Sequence, residues 1–264
     1  MTIKIASKMI PDFLEKFRTQ IEKYKLDTIR IIATPLRSDE ILAVTQSKFL
    51  GTPYIPKNMT YPISPDGTPM ILLAQINFAE TPELENYPTK GILQLFVHPK
   101  NWYDMENYQV IFHENTNEEF HSYFSFLTPE LYEESPIFCE HKLSFIKETE
   151  YGGREDFRFQ IDFDGKDYFD FQKTLPKEQQ EQMDNLFYII GHKIGGYAYN
   201  TQGDPRKYDI KKKDDVLLLQ IDSDLSSTDW KIMFGDSGVA NVFININDLK
   251  NQNFDKAYFY WNCC

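Results

Sequence analysis

The sequence has few cysteines: Cys139, Cys263 and Cys264 are the only three. Cys263 and Cys264 are neighbours, and neighbouring cysteines can pair only through a strained vicinal ring. A disulfide framework, typical of small secreted domains, is therefore not expected. The two adjacent thiols are interpreted as the end of the last strand, and a soft-metal site is the less favoured alternative.

Long apolar runs are also missing. No run approaches the roughly 18 residues that a bilayer-spanning helix needs. The first residues, MTIKIASKMIPDFLEKF, include Glu15 and Lys16 where a signal peptide needs an uninterrupted apolar segment. We therefore predict no membrane association and a cytoplasmic location.

Positive charge is scarce in one part of the chain. The net charge is −12, and most of it comes from residues 101–150, which hold eleven acidic residues against Lys142 and Lys147. An acidic surface repels nucleic-acid phosphate, so no nucleic-acid partner is predicted. The region is either a solvated face or a docking surface for a basic protein partner.

Common catalytic and nucleotide-binding motifs are absent. The sequence contains neither a Gly-x-x-x-x-Gly-Lys-Ser/Thr loop nor a Gly-x-Gly-x-x-Gly motif, and no His-x-x-x-His or Glu-x-x-His pair falls on a predicted helix. Residues 235–238, GDSG, resemble the nucleophile segment of trypsin-like proteases. The continuation is Val239-Ala240 instead of Gly-Pro, so we interpret GDSG as a turn before a strand. No cofactor and no metal site are predicted.

Apolar periodicity indicates an α+β fold with mostly antiparallel sheets and few helices. An amphipathic N-terminal helix is predicted at about 10–25 and a second helix at 176–190, with a helical turn that begins at Asn247. Asp164-Gly165 predicts a type I′ hairpin turn. Strands are predicted at 28–36, 70–78, 91–99, 107–114, 121–127, 157–163, 216–222, 238–244 and 256–261.

The two halves of the chain resemble each other. SKFLGTPYIP at 47–56 aligns with HKIGGYAYNT at 192–201, and ILLAQINF aligns with VLLLQIDS at the same shift. The aligned identities include Lys48 with Lys193, Gly51 with Gly196, Tyr54 with Tyr199, and Gln75 with Gln220. We predict an internal duplication with halves at 47–about 150 and about 151–264, which form one unit after an N-terminal helix and strand at 1–46.

The second copy of the repeated turn is the more polar one. Its sequence, GHKIGGYAYNTQGDPR at 191–206, ends in an acidic and a basic residue. Arg206 could bind a carboxylate or phosphate through two parallel hydrogen bonds, with Lys193 as a second charge. The alternative is a turn closed by an ion pair between Asp204 and Arg206. The candidate ligand-binding residues are His192, Lys193, Gly195, Gly196, Tyr197, Tyr199, Gln202, Asp204 and Arg206.

These blocks resemble the YwqG-like family, a bacterial group of unknown function. The resemblance rests on KIGGYAYNTQGDPR, LLLQID, FGDSGVANVFI and the ending LKNQNFDKAYFYWNCC, with PMILLAQINF and GILQLFV in the first half. It covers roughly 45–264 and implies an α+β fold with an internal duplication. Ala198 stands where related sequences tend to have proline. The resemblance implies no particular chemistry.

Together these features predict a non-catalytic binding or protein-interaction module. Its partner is either a small anionic ligand at 192–206 or a basic protein at the acidic region. The alternative is a hydrolase or transferase that uses His192, Asp204 and nearby carboxylates as acid/base groups. A pocket that joins His192, Asp204 and Arg206 favours the enzyme, and an acidic face without such convergence favours the interaction module.

Overall fold

A computed structural model describes residues 8–224 and 230–263 of the chain. Within these residues, ten strands form one sheet, which four short α-helices and six 3₁₀ segments accompany. The strands are β1 Leu26–Pro35, β2 Lys48–Phe49, β3 Ile71–Asn77, β4 Ile92–Val97, β5 Tyr108–His113, β6 His141–Glu150, β7 Lys193–Gly195, β8 Asp215–Asp222, β9 Val239–Asn245 and β10 Tyr258–Asn262. The helices are α1 Arg18–Glu22, α2 Tyr168–Gln172, α3 Lys177–Leu186 and α4 Ile246–Lys250. The 3₁₀ segments are Asp12–Phe17, Phe78–Glu80, Pro129–Tyr132, Pro205–Tyr208, Ile210–Lys212 and Phe254–Lys256.

The strand order is β10-β9-β8-β7-β1-β6-β2-β3-β4-β5. The named strands pair antiparallel throughout, which confirms the predicted antiparallel, helix-poor architecture. The long pair β1–β6 forms the centre, with β2 to β5 on one side and β7 to β10 on the other. A register shift interrupts the β3–β4 pair between Leu72 and Ala74, and a second one interrupts β8–β9 between Leu217 and Leu219.

The sheet curves around an apolar core. Alternate residues such as Ile29 and Ile31 of β1 are buried on its inner face, as the period of two in a strand requires. The two edges of the sheet face each other across this core. The rings of Phe112, on edge strand β5, and Phe254, just before edge strand β10, lie 4.4 Å apart between centroids. The side chains at the two edge strands thereby cover each other.

A second layer packs beside the sheet. It combines the segment before β1 with residues between β6 and β7, and Phe17 and Phe163 contact each other at 5.0 Å between ring centroids. The predicted N-terminal helix lies where expected but is shorter, because Asp12–Phe17 is 3₁₀ and only Arg18–Glu22 is α-helical. Within the described residues, no helix combines the length and apolar character needed to cross a bilayer.

The predicted strand at 157–163 is wrong. This segment has no strand pairing, and its apolar side chains pack in the second layer instead. The turn that follows is confirmed: Asp164 and Gly165 have φ of 55° and 80°, and the backbones of Phe163 and Lys166 are hydrogen-bonded to each other. The predicted strand at 121–127 is also wrong, because these residues lie in an irregular, mostly exposed connection.

Two helix boundaries differ from the sequence expectation. Helix α3 ends at Leu186 instead of residue 190, and α4 begins after Asn245, whose side chain accepts from the backbone N–H of Asn247. Strands β2, β6 and β7 have no counterpart among the predicted strands. The turn at 235–238 is confirmed and leads into β9. The remaining predicted strands are confirmed to within about two residues.

Candidate functional site

A row of buried polar side chains crosses each half of the sheet. Lys48, Gln75 and Gln94 lie opposite one another on β2, β3 and β4. Lys193, Gln220 and Asn241 occupy the corresponding positions on β7, β8 and β9. All six side chains are buried. Buried polar groups need hydrogen-bond partners, so these rows determine how the adjacent loops run.

Gln75 and Gln220 bind the backbone of the adjacent loops in the same way. The Oε1 atom of Gln75 accepts from the N–H of Tyr54 at 2.8 Å, and its Nε2 donates to two carbonyl groups of the loop before β2. The Oε1 atom of Gln220 accepts from the N–H of Tyr199 at 2.8 Å, and its Nε2 donates to the carbonyls of Ile189 and Gly191. Loop backbone thus satisfies the polar groups of both buried side chains.

Gly196 has a backbone conformation that suits glycine alone. Its φ is +76°, and a Cβ at this position overlaps the carboxylate of Glu150 and the side chain of Thr28. The carboxylate of Glu150 accepts from the N–H of Tyr197 at 2.7 Å and from the ammonium of Lys193 at 2.7 Å. The double glycine therefore lets the chain turn tightly around a buried ion pair.

Arg206 is buried, with its guanidinium among protein acceptors. Its Nε and Nη2 atoms donate to the two oxygens of Asp204 at 2.9 and 2.6 Å. Nη2 also donates to Asp156 at 2.8 Å, and Nη1 donates to the carbonyl of Asp215 at 3.0 Å. The guanidinium lies over the ring of Phe243 at 4.5 Å from the centroid. This arrangement matches the alternative of a turn closed by its own ion pair.

Asp156 connects this pair to Arg158. The carboxylate of Asp156 accepts from Arg158 at 2.7 Å and from the backbone N–H of Ala198 at 2.8 Å. Burial alone raises the pKa of Asp156, but the charges of Arg158 and Arg206 outweigh it and hold this pKa well below its ordinary value. One network of charged side chains thus joins Asp156 and Arg158 to the 192–206 segment.

The other predicted site residues are divided between the interior and the surface. Gly195 and Tyr197 are buried, and the hydroxyl of Tyr197 donates to the carbonyl of Tyr24 at 2.9 Å. Tyr199 is half-buried, and Gln202 is exposed. His192 points to a different place from Asp204 and Arg206, because it lines a cavity whose described walls include neither of them.

That cavity has a volume of about 380 Å³. It brings His192 together with His141 and Asp222, two residues that the sequence analysis did not place at a site. The Nδ1 atom of His192 accepts from the N–H of Asp222 at 3.0 Å, and the His192 ring packs edge-on against Phe49 at 5.3 Å between centroids. Burial lowers the pKa of His192 to about 3, helped by nearby His141 and Arg30, so the ring is neutral at pH 7.

A second surface lies on the connection between β5 and β6. We call residues 114–134 the acidic loop. Its exposed positions include Glu114, Glu119, Phe120, Tyr123, Phe126, Glu133 and Glu134. The exposed fraction of Tyr123 reaches 77 %. The charge of this region is visible in the sequence, but the apolar alternation at 121–127 predicts a strand, which gives no sign of the exposed rings.

The acidic loop is anchored by aromatic contacts. Tyr61 packs against Phe124 and Phe126 at 4.9 Å between ring centroids in both cases, and Phe120 packs against Tyr54 at 5.6 Å. Lys57 and Glu119 form an ion pair at 2.9 Å. The loop is thus held against the β2–β3 connection, while Tyr123 between its anchors faces solvent.

No metal centre is built by the part of the chain that the structure describes, since no three His, Cys, Asp or Glu side chains converge there. The chain belongs to the family of the domain of unknown function DUF1963, whose family model matches residues 47–263. The central strand β1 therefore precedes the matched region. None of the curated proteins compared with the chain matches it.

Proposed function

We propose that the protein is a non-catalytic interaction module that docks a basic protein partner on the acidic loop. The observation that carries this proposal is the exposed ring of Tyr123, with the partly exposed rings of Phe120 and Phe126 beside it, among carboxylates on one anchored loop. Aromatic residues contribute much of the binding energy at protein interfaces, and carboxylates around them select a partner of opposite charge.

The charge of the loop supports a basic partner. No lysine or arginine occurs between Lys100 and Lys142. Among the described residues, Glu114, Glu133 and Glu134 have no ion-pair partner, so their charges remain available to another molecule. A surface of one sign steers an oppositely charged protein and accelerates its association.

The length of the connection supports a role beyond covering the fold. Strands β5 and β6 are four strand positions apart in the sheet order, which is about 19 Å at the usual strand spacing. About six extended residues cover this distance, whereas the connection runs from residue 114 to residue 140. Connections of this length without strands or long helices are uncommon in compact domains and often carry function.

The 192–206 segment supports a ligand role less well. The donors of Arg206 are used by Asp204, Asp156 and the carbonyl of Asp215, so a small anion has to displace internal bonds. The hydrolase or transferase alternative meets the same difficulty, because Asp204 bonds to Arg206 instead of facing the cavity that His192 lines.

We further propose that the sheet arose by duplication, as the two halves of the sequence indicate. The mirrored strand order, the two register shifts and the identical backbone contacts of Gln75 and Gln220 support this. Within the DUF1963 family we place the chain in the bacterial YwqG-like group, on the blocks quoted above. The scarcity of cysteine in the sequence supports a reducing, cytoplasmic location. Cys264 lies outside the described residues.

The docking proposal is tested by affinity purification from the cells that make the protein, with wild type and two charge-reversed variants. Glu133→Lys with Glu134→Lys changes the acidic loop. Glu178→Lys with Glu181→Lys makes the same change in net charge on α3. We expect a basic protein to co-purify with wild type and with the α3 variant, and to be released by moderate salt.

The loop variant is expected to lose that partner while its unfolding curve stays unchanged. Equal recovery of the same basic protein with both variants contradicts the proposal, because the charge of the acidic loop is then irrelevant. Recovery of only acidic or uncharged partners through the loop contradicts it as well.

A further inference from the structure

A cavity at one end of β1 and β8 combines apolar walls with two imidazoles. Its lining includes Ile31 and Ala33 of β1, together with Ile190 and Ile232 from the adjoining loops. Its volume of about 380 Å³ is within the range of small-molecule sites. At roughly 30 Å³ for each water-sized group, it has room for on the order of a dozen non-hydrogen atoms.

The two imidazoles have opposite hydrogen-bonding character. The Nδ1 atom of His192 accepts from the N–H of Asp222, so the proton of this neutral ring is on Nε2. The Nδ1 atom of His141 lies 2.8 Å from the carbonyl of Cys139, to which it can only donate, so its Nε2 atom is a bare acceptor. Among the described residues, neither Nε2 atom has a hydrogen-bond partner, although the side chain of His141 is almost fully buried.

We infer that this cavity binds a small, planar, uncharged molecule that carries both a hydrogen-bond acceptor and a hydrogen-bond donor, such as a heteroaromatic carboxamide. The acceptor of the ligand takes the N–H of His192, and its donor serves the free nitrogen of His141. The apolar walls cover the ring faces of the ligand. This site is separate from the acidic loop and does not depend on the docking proposal.

The charges at the cavity favour an uncharged ligand. Arg30 lines the wall and disfavours a cation, although its Nε is already 3.3 Å from a carboxylate oxygen of Glu148. Asp222 and Asp224 also line the cavity, and their carboxylates disfavour an anion. Both oxygens of Asp222 accept backbone N–H groups, from Gly191 and Ser223, so this carboxylate is a fixed part of the wall. Tyr188 is 46 % exposed and provides a ring for stacking at the cavity.

The test is a titration of the intact protein with nicotinamide, followed by the imidazole nitrogen signals in long-range ¹H–¹⁵N NMR spectra. Nicotinate is the matched probe, because it has the same ring and a negative charge. The free protein is expected to show the Nε2–H tautomer for His192 and the Nδ1–H tautomer for His141. Nicotinamide is expected to shift the Nε2 signals of both residues, and nicotinate to shift neither.

Three variants separate binding from folding. His192→Ala removes the donor and is expected to weaken nicotinamide binding about tenfold, the worth of one hydrogen bond. Ala33→Leu fills the cavity, leaves both imidazoles in place and is expected to abolish binding. His121→Gln changes an exposed histidine of the acidic loop and is expected to bind as wild type does.

Absence of a shift with nicotinamide overturns the inference. So does nicotinate binding as tightly as nicotinamide, because the uncharged class is then wrong. Undiminished binding by Ala33→Leu also overturns it, because the probe then lies elsewhere. Since Ala33→Leu removes no hydrogen bond, its result remains decisive even where His192→Ala fails to fold.

Discussion

Arg206→Ala is expected to cost the protein much of its stability. The side chain of Arg206 is fully buried, and it compensates the buried carboxylates of Asp204 and Asp156. Removal of one partner from a buried ion pair typically costs about 3–5 kcal/mol. Asp156 keeps Arg158 at 2.7 Å, so we expect about 4 kcal/mol instead of a larger sum. A single domain has about 5–15 kcal/mol in total.

Equilibrium unfolding in urea measures this loss as a lower midpoint at an unchanged m-value. Arg18→Ala is the matched control, since Arg18 also contacts two carboxylates, those of Glu15 and Glu22, but all three are at the surface. We expect its midpoint to remain close to that of wild type. A loss below about 1 kcal/mol for Arg206→Ala refutes the reasoning, because buried charges of this kind cannot be left uncompensated so cheaply.

The network around Asp156 also predicts how the stability of the protein depends on pH. The pKa of Asp156 in the folded protein is below its unfolded value of about 4. The unfolded chain therefore binds the proton first as the pH falls, and the stabilisation from Asp156 is present above about pH 4 and lost below it. Arg206→Ala weakens the field that lowers this pKa. Its stability is expected to change less than that of wild type between about pH 6 and pH 3.

Four further substitutions test the buried polar rows and the glycine turn beside them. Gln75→Leu and Gln220→Leu are each expected to cost at least about 2 kcal/mol, and similar amounts, because each leaves one loop N–H and two carbonyls without their partner. Gly196→Ala is expected to destabilise more than a conformational penalty of about 1 kcal/mol, since the new methyl group also overlaps a carboxylate. Lys193→Met is expected to cost about 3–5 kcal/mol, because it leaves the carboxylate of Glu150 buried and unpaired.

Matched variants accompany these four substitutions, and all are measured by urea unfolding. Gln182→Leu, at an exposed position of α3, is expected to change stability little. Gly203→Ala has a φ of +101° with open space around the new methyl group, so it measures the conformational penalty alone. Glu150→Gln added to Lys193→Met is expected to recover part of the loss, since a neutral amide oxygen still accepts from Tyr197. If a substitution and its matched variant lose the same amount of stability, the explanation given for that substitution is contradicted.

The strands that could be predicted are those rich in apolar residues. β3, β4, β8 and β9 are buried along nearly their whole length, so their sequences are almost continuously apolar. β6 could not be found this way, although it lies at the centre of the sheet. Its face next to Lys48 and Lys193 carries Lys142 and Glu150, whose charges are compensated by residues distant in sequence.

The segment at 157–163 shows the opposite error. Its alternation of Phe159, Ile161 and Phe163 is typical of a strand, but no neighbouring strand is available there. The side chains pack against the N-terminal helix and α3 instead, so tertiary packing overrides the local pattern.

The candidate sites could be predicted only in part, because they too depend on tertiary packing. The charge of the acidic loop is visible in composition, but the exposure of Tyr123 depends on anchors such as Tyr61. The pairing of His192 with His141 in one cavity follows from the sheet order, which places β7 and β6 on either side of β1. Residue types and spacing carry no information on that order.

The docking of a basic partner on the acidic loop is tested most directly by photo-crosslinking in living cells. A photoreactive phenylalanine analogue replaces Tyr123, and the same group at Glu181 on α3 is the control. The account predicts a crosslink from position 123 to a basic protein and none to that protein from position 181. Absence of any crosslink from position 123, or the same crosslinked protein from both positions, contradicts it.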